Sequence, residues 1–170
     1  MIISFVCCLA DNCKAASCPE SARCSNTATT HICRCKGGHF MEDSKCKRAT
    51  RIFSVHELVL NRKFIPSYTN IGSSQFATLA NEIETVLSNV FRNSLLRKDF
   101  RGIQVWNLRK GSVVASYNVL YANRTQLTAQ LVATVARNTT LFSSLNPDAS
   151  RLPRITGKHC CSLCREVHQI

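Results

Sequence analysis

Aromatic side chains, carboxylates and long apolar runs are all scarce in this chain of 170 residues, and each shortage excludes something. Phe, Trp and Tyr make up 7% of it, and Asp and Glu number 10 against 22 Lys and Arg. So few acids leave little material for the paired carboxylates of a glycosidase. No apolar run reaches the roughly 18–20 residues that span a bilayer. The longest is Met1–Ala10, so a membrane anchor is expected outside this chain. No block of five like charges occurs, and the densest cluster is Lys45, Lys47, Arg48 and Arg51. The net charge of +12 therefore reads as a solvated basic surface rather than a nucleic-acid groove. The length admits one or two compact domains and no large multidomain enzyme.

What is present begins with 45% hydrophobic residues, ordinary for a globular protein, and 11 cysteines in an unusual distribution. Six of them fall between positions 13 and 46, and none between 47 and 159. The stretch from 13 to 46 has only Ile32, Phe40 and Met41 as large apolar side chains. A segment this short and this poor in core formers needs staples, which implies disulfides and the secretory pathway. Met1–Ala10 is similar to the apolar half of a signal peptide, with Cys8 and Ala10 as small residues before Asp11.

The spacing reads Cys13-x4-Cys18-x5-Cys24-x8-Cys33-x-Cys35-x10-Cys46, followed after Cys35 by Lys36-Gly37-Gly38-His39-Phe40. Six cysteines allow about fifteen pairings, and spacing leaves them all open. The pattern resembles an EGF-like module over residues 11–47. That resemblance implies the bridges Cys13–Cys24, Cys18–Cys33 and Cys35–Cys46. On a regular strand Cys33 and Cys35 would share a face, so a bend or bulge is expected between them. Gly37 and Gly38 are the residues suited to a positive φ in the following turn. Asp11-Asn12 offers too few oxygen ligands for calcium, so no metal is expected.

From residue 50 onward the pattern changes. Arg51–Leu60 alternates through Phe53, Val55 and Val59 as a strand. Behind Ser73-Ser74-Gln75 comes a helical stripe of Phe76, Leu79, Ile83, Val86, Leu87, Val90 and Phe91. Gly102–Leu108 and Ser112–Tyr121 read as two strands joined at Arg109-Lys110-Gly111, the second aligning Val113, Ala115, Tyr117, Val119 and Tyr121. A shorter helix follows with Leu127, Leu131, Val132 and Val135, and a last strand is expected near Leu152–Ile155. The order β-α-β-β-α-β predicts an α+β fold, an antiparallel sheet with helices on one face, in the ferredoxin-like plan.

RNA-recognition modules share that order. The positions that would stack bases here are Ser112 and Val114, neither of which has a π-face, so no nucleic acid is expected. Gly111-Ser112-Val113-Val114-Ala115, at the hairpin between the second and third strands, instead resembles the self-cleavage motif of SEA domains of membrane mucins and related cell-surface proteins. The resemblance covers about residues 50–156, and Ala115 departs from it where a third valine stands in the family. It implies scission between Gly111 and Ser112. A backbone strained by strand pairing would be attacked by the Ser112 hydroxyl, with no triad and no cofactor. The halves would stay associated without a covalent link.

Asn123-Arg124-Thr125 and Asn138-Thr139-Thr140 are N-glycosylation sequons. The tail, residues 157–170, has Cys160, Cys161 and Cys164 with His159 and His168. Its spacing matches no complete zinc site and reads as the start of a second, truncated cysteine-rich segment. Cys7 and Cys8 have no assigned partners. The chain is thus expected to be a non-enzymatic, extracellular, glycosylated cell-surface segment with protein or glycan partners. The alternative is a receptor ligand acting through its EGF-like module.

Overall fold

The computed structural model describes residues 13, 18–27, 30–122, 127–138, 143–151 and 153–159. The first part is two small hairpins. Strand β1 (Ala22–Asn26) pairs antiparallel with β2 (His31–Cys35), and β3 (His39–Glu42) with β4 (Lys45–Arg48). Asp43 and Ser44, both at positive φ, make the two-residue turn of the second hairpin, the geometry that follows the natural twist of paired strands. Disulfides join Cys13 to Cys24, Cys18 to Cys33 and Cys35 to Cys46, with Cα–Cα distances of 5.5–5.7 Å. The bend expected between Cys33 and Cys35 is absent. Their ladder with β1 runs unbroken from Ala22↔Cys35 to Asn26↔His31. Residues two apart on a strand stand roughly 7 Å apart on one face, room enough for separate partners.

The second part is a four-stranded antiparallel sheet made of β5 (Arg51–Leu60), β6 (Phe100–Lys110), β7 (Val113–Tyr121) and β8 (Arg154–His159), in the order β6-β7-β5-β8. Two helices, α1 (Ser74–Arg92) and α2 (Ala129–Arg137), complete the β-α-β-β-α-β order. Ser73 caps α1 by accepting from the Phe76 N–H at 3.0 Å, and Thr128 caps α2 by accepting from the Leu131 N–H at 3.3 Å. One core joins Phe76, Leu79, Ile83, Leu87 and Phe91 of α1 to Val113, Ala115, Tyr117, Val119 and Tyr121 of β7.

Four details of the expected pattern change. A β-bulge lies between Val55 and Leu58. It shifts the alternation by one residue, so Leu58 and Leu60, not Val59, continue the core face begun by Phe53 and Val55. Leu131 is exposed, and α2 instead buries Val132, Ala133 and Ala136. The last strand runs over Arg154–His159, further along than 152–155. The β6–β7 ladder extends to Lys110↔Val113, which confines the turn to Gly111 and Ser112.

The two parts are docked. Val105 lies on β6, an edge strand of the sheet, and its N–H donates to Glu84 Oε1 of α1 at 2.7 Å. Its C=O accepts from Arg34 Nη2 of β2 at 3.0 Å, and Arg34 also pairs with Glu84 at 2.5 Å. Gln104 donates to the C=O groups of Cys35 and Lys36 and accepts from the Gly38 N–H. Gly38, at φ 77°, alone supplies the positive φ expected of the glycine pair, and a Cβ there would stand 2.9 Å from Ile52 Cδ1. Phe40, Ala49 and Leu120 form a second small core across the junction.

Candidate functional site

The hairpin between β6 and β7 brings the two residues singled out by sequence, Gly111 and Ser112, to an exposed tip. A two-residue turn between strands of this twist requires a positive φ at its central positions. Gly111 adopts φ 134° and Ser112 φ 53°. Glycine bears this freely, whereas an L-residue with a Cβ is held in the left-handed region at a cost of about 1–2 kcal/mol. A side chain at Gly111 is also excluded by space, since its Cβ would fall 2.9 Å from Val114 Cγ2.

Immediately after this exposed serine the chain plunges into the core. Val113, Val114 and Ala115 are 0%, 2% and 0% exposed. Val113 pairs with Lys110 and Leu60, Val114 with Arg109 and Val59, and Ala115 with Leu108 and Leu58. Each buried valine is worth very roughly 1.5–3 kcal/mol, so register and burial both hold the turn at two residues.

A charged cluster that the sequence did not disclose lies beside the turn. Glu57 sits in the β5 bulge at φ 65°. Its carboxylate accepts from Arg109 Nη2 of β6 at 3.2 Å and from Arg154 Nε of β8 at 2.9 Å. Arg151 follows, 3.9 Å from Asp148. A recess of about 290 Å³ is lined by Glu57, Val59, Arg109, Gly111, Val114 and Arg151. Only a structure-induced change of strand parity puts Glu57 over β7 toward Arg109, which is why alternation in the sequence gave no hint of it.

The docking contact is the other site of unusual chemistry. Burial pushes the Glu84 carboxyl up to about 6, against the opposing pull of Arg34 and the Val105 N–H. Burial likewise raises the phenols of Tyr117 and Tyr121, whose hydroxyls have no hydrogen-bond partner among the described residues. Asn138 is exposed at the end of α2. Asn123, Cys7, Cys8, Cys160, Cys161 and Cys164 lie outside the described residues. Among the described residues no group of acids, histidines and cysteines could hold a metal ion, and no helix is long and apolar enough to cross a membrane.

Comparison with known proteins identifies the family of the second part. The chain is 24% identical over 147 residues to the 63 kDa sperm flagellar membrane protein of Strongylocentrotus purpuratus, an alignment covering 84% of this chain and 31% of the relative. It thus spans about a third of that protein's length. The SEA domain family model matches residues 51–146, from the start of β5 to the segment after α2. With more than half of its length matched, from β5 through α2, the chain belongs to the SEA domain family.

Proposed function

We propose that this chain is an extracellular segment of a cell-surface glycoprotein whose SEA domain cuts its own backbone between Gly111 and Ser112. One observation carries the reading. The turn that must open is two residues long, has a positive φ at both, and is anchored by three buried residues directly behind its serine. Among the described residues no side chain hydrogen-bonds the Ser112 hydroxyl, so the reading relies on strain and proximity rather than on a general base.

In this reaction the Ser112 Oγ adds to the Gly111 carbonyl carbon. The C–N bond breaks, and the hydroxyl proton ends on the Ser112 nitrogen, leaving an ester. Water then adds to the ester carbon. The C–Oγ bond breaks, giving a Gly111 carboxylate and restoring the Ser112 hydroxyl. Proximity of this kind is worth on the order of 7–11 kcal/mol when well oriented. Each further 1.4 kcal/mol or so of strain released on the way gains about tenfold in rate. The event is single-turnover maturation, not enzymatic turnover.

Around this domain, the three-bridge segment with its C-x-C step acts as an EGF-like module, and Asn123 and Asn138 carry N-glycans. Membership of the SEA family and similarity to a membrane protein support the cell-surface setting. The docking through Arg34, Gln104 and Gly38 favours a rigid extracellular spacer with protein or glycan partners over a free receptor ligand. Electrophoresis and intact mass of the secreted product test the cleavage. Wild type and Ser112→Cys should give fragments 1–111 and 112–170, and Ser112→Ala one intact chain. Fragments from Ser112→Ala would overturn the serine mechanism.

A further inference from the structure

Scission at Gly111 would create two charges that the intact chain lacks, a carboxylate on Gly111 and an ammonium on Ser112. The recess beside the turn is furnished for the first of these. Its floor is the apolar cross-strand pair Val59 and Val114. Its walls are charged, and their balance is uneven. Among the described residues, Arg109 and Arg151 line it against Glu57, and their ion pairs bring in Arg154 and Asp148 from just outside the lining. Glu57 is engaged by both Arg109 and Arg154, while Asp148 holds Arg151 at 3.9 Å and accepts from the Ser150 N–H and hydroxyl as well. One positive charge is therefore in excess. A guanidinium has five donors in a planar fork suited to a carboxylate, and neither Arg109 nor Arg151 exhausts its set on these partners.

We propose that this recess is the seat of the new C-terminus. After cleavage the Gly111 carboxylate settles between Arg151 and Arg109 and pins the end of β6 to the sheet, while the Ser112 ammonium remains in solvent. Gly111 already lines the recess, so the carboxylate needs only a local swing rather than a new path. Glu57 acts through Arg109, holding its guanidinium over the sheet at the bulge, and is a positioning residue. This rests on the self-cleavage reading and adds what the molecule does with the product.

The test compares one substitution in two backgrounds. Arg151→Ala is introduced into the self-cleaving chain and into the uncleavable Ser112→Ala chain. Mass spectrometry first verifies that the one is fully cut and the other intact. The rate at which fragment 112–170 separates in urea is then set beside the unfolding rate of the intact chain. Arg151→Ala should speed separation of the cleaved molecule about two- to five-fold, the yield of an exposed ion pair. The gain should vanish in 1 M salt, where the Debye length falls to about 3 Å, and Arg151→Lys should restore part of the hold. The intact chain should unfold at an unchanged rate. Equal effects in both backgrounds, or none in either, overturn the recess as a carboxylate seat while leaving self-cleavage standing. A wild-type chain that never cuts overturns both.

Discussion

The two parts of this molecule solve the same problem with opposite means. Residues 18–48 have almost no interior, since Phe40 is the one buried large apolar side chain among their described residues, and covalent bridges do what a core would do. The domain from Arg51 onward has no disulfide among its described residues, and relies on a helix-on-sheet core with Tyr117, Phe76, Phe91 and Leu87 almost wholly excluded from water. A cross-linked loop limits how far the unfolded chain can roam. A packed core lowers the energy of the folded one. The two should therefore fail under different insults.

Reduction should separate them most sharply. Breaking Cys13–Cys24, Cys18–Cys33 and Cys35–Cys46 removes about 2–5 kcal/mol for each native bridge in a small domain. Hydrogen exchange should then show the amides of β1–β4 losing protection while those of β7 and α1 keep theirs. Equal loss in both would mean that the second part depends on the first to stay folded.

Next in size is the joint itself. Arg34→Ala leaves Glu84 buried without its cation, and removing the pull of Arg34 drives its carboxyl further up, toward the protonated form. Breaking a buried pair in this way commonly costs about 3–5 kcal/mol. The cost should appear first as exposure of the Val105 amide on the β6 edge, and thermal unfolding should split into two steps. Retention of a single sharp transition would show that Gln104 and the Phe40–Leu120 contact suffice for docking.

The smallest effect is one of pH. Glu84 has a folded pKa of about 6, above its ordinary 4.5, so the folded state binds the proton more tightly than the unfolded one. The stabilisation is complete below pH 4.5 and is lost as pH rises through 6. The difference is about 2 kcal/mol at most. Urea midpoints at pH 5 and pH 7.5 should differ in wild type by more than in Glu84→Gln, which has no proton to exchange there. An identical pH slope in both would place the ionic cost elsewhere.

Local pattern carried much of the fold. The stripe from Phe76 to Phe91 obeys the helical period because its neighbours lie on one helix face, and Ser73 marks its start as a cap does. The alternation from Val113 to Tyr121 held for the same reason in a strand buried on both sides. What escaped depended on contacts distant in sequence. A bulge at His56-Glu57 has no strong local signature, and it moved Leu58 and Leu60 inward and Glu57 beside Arg109. Glu84 looks like any exposed helical acid until Arg34, 50 residues earlier, and the free edge at Val105 come to meet it. Leu131 continues the helical period, yet the sheet covers only the neighbouring face of α2. Of the candidate site, the turn was legible because Gly111 is one of only 6 glycines in the chain and stands, with Ser112 behind it, between two alternating runs. The charged recess beside it was not.

The strand order β6-β7-β5-β8 bears on any molecule severed at the turn. The earlier piece would own β5 and β6 and the later one β7 and β8, so every ladder of this sheet would run between pieces and none within one. The two would be interlaced like the fingers of clasped hands. Neither could leave with a sheet of its own, and parting them would require the whole weave to come undone at once.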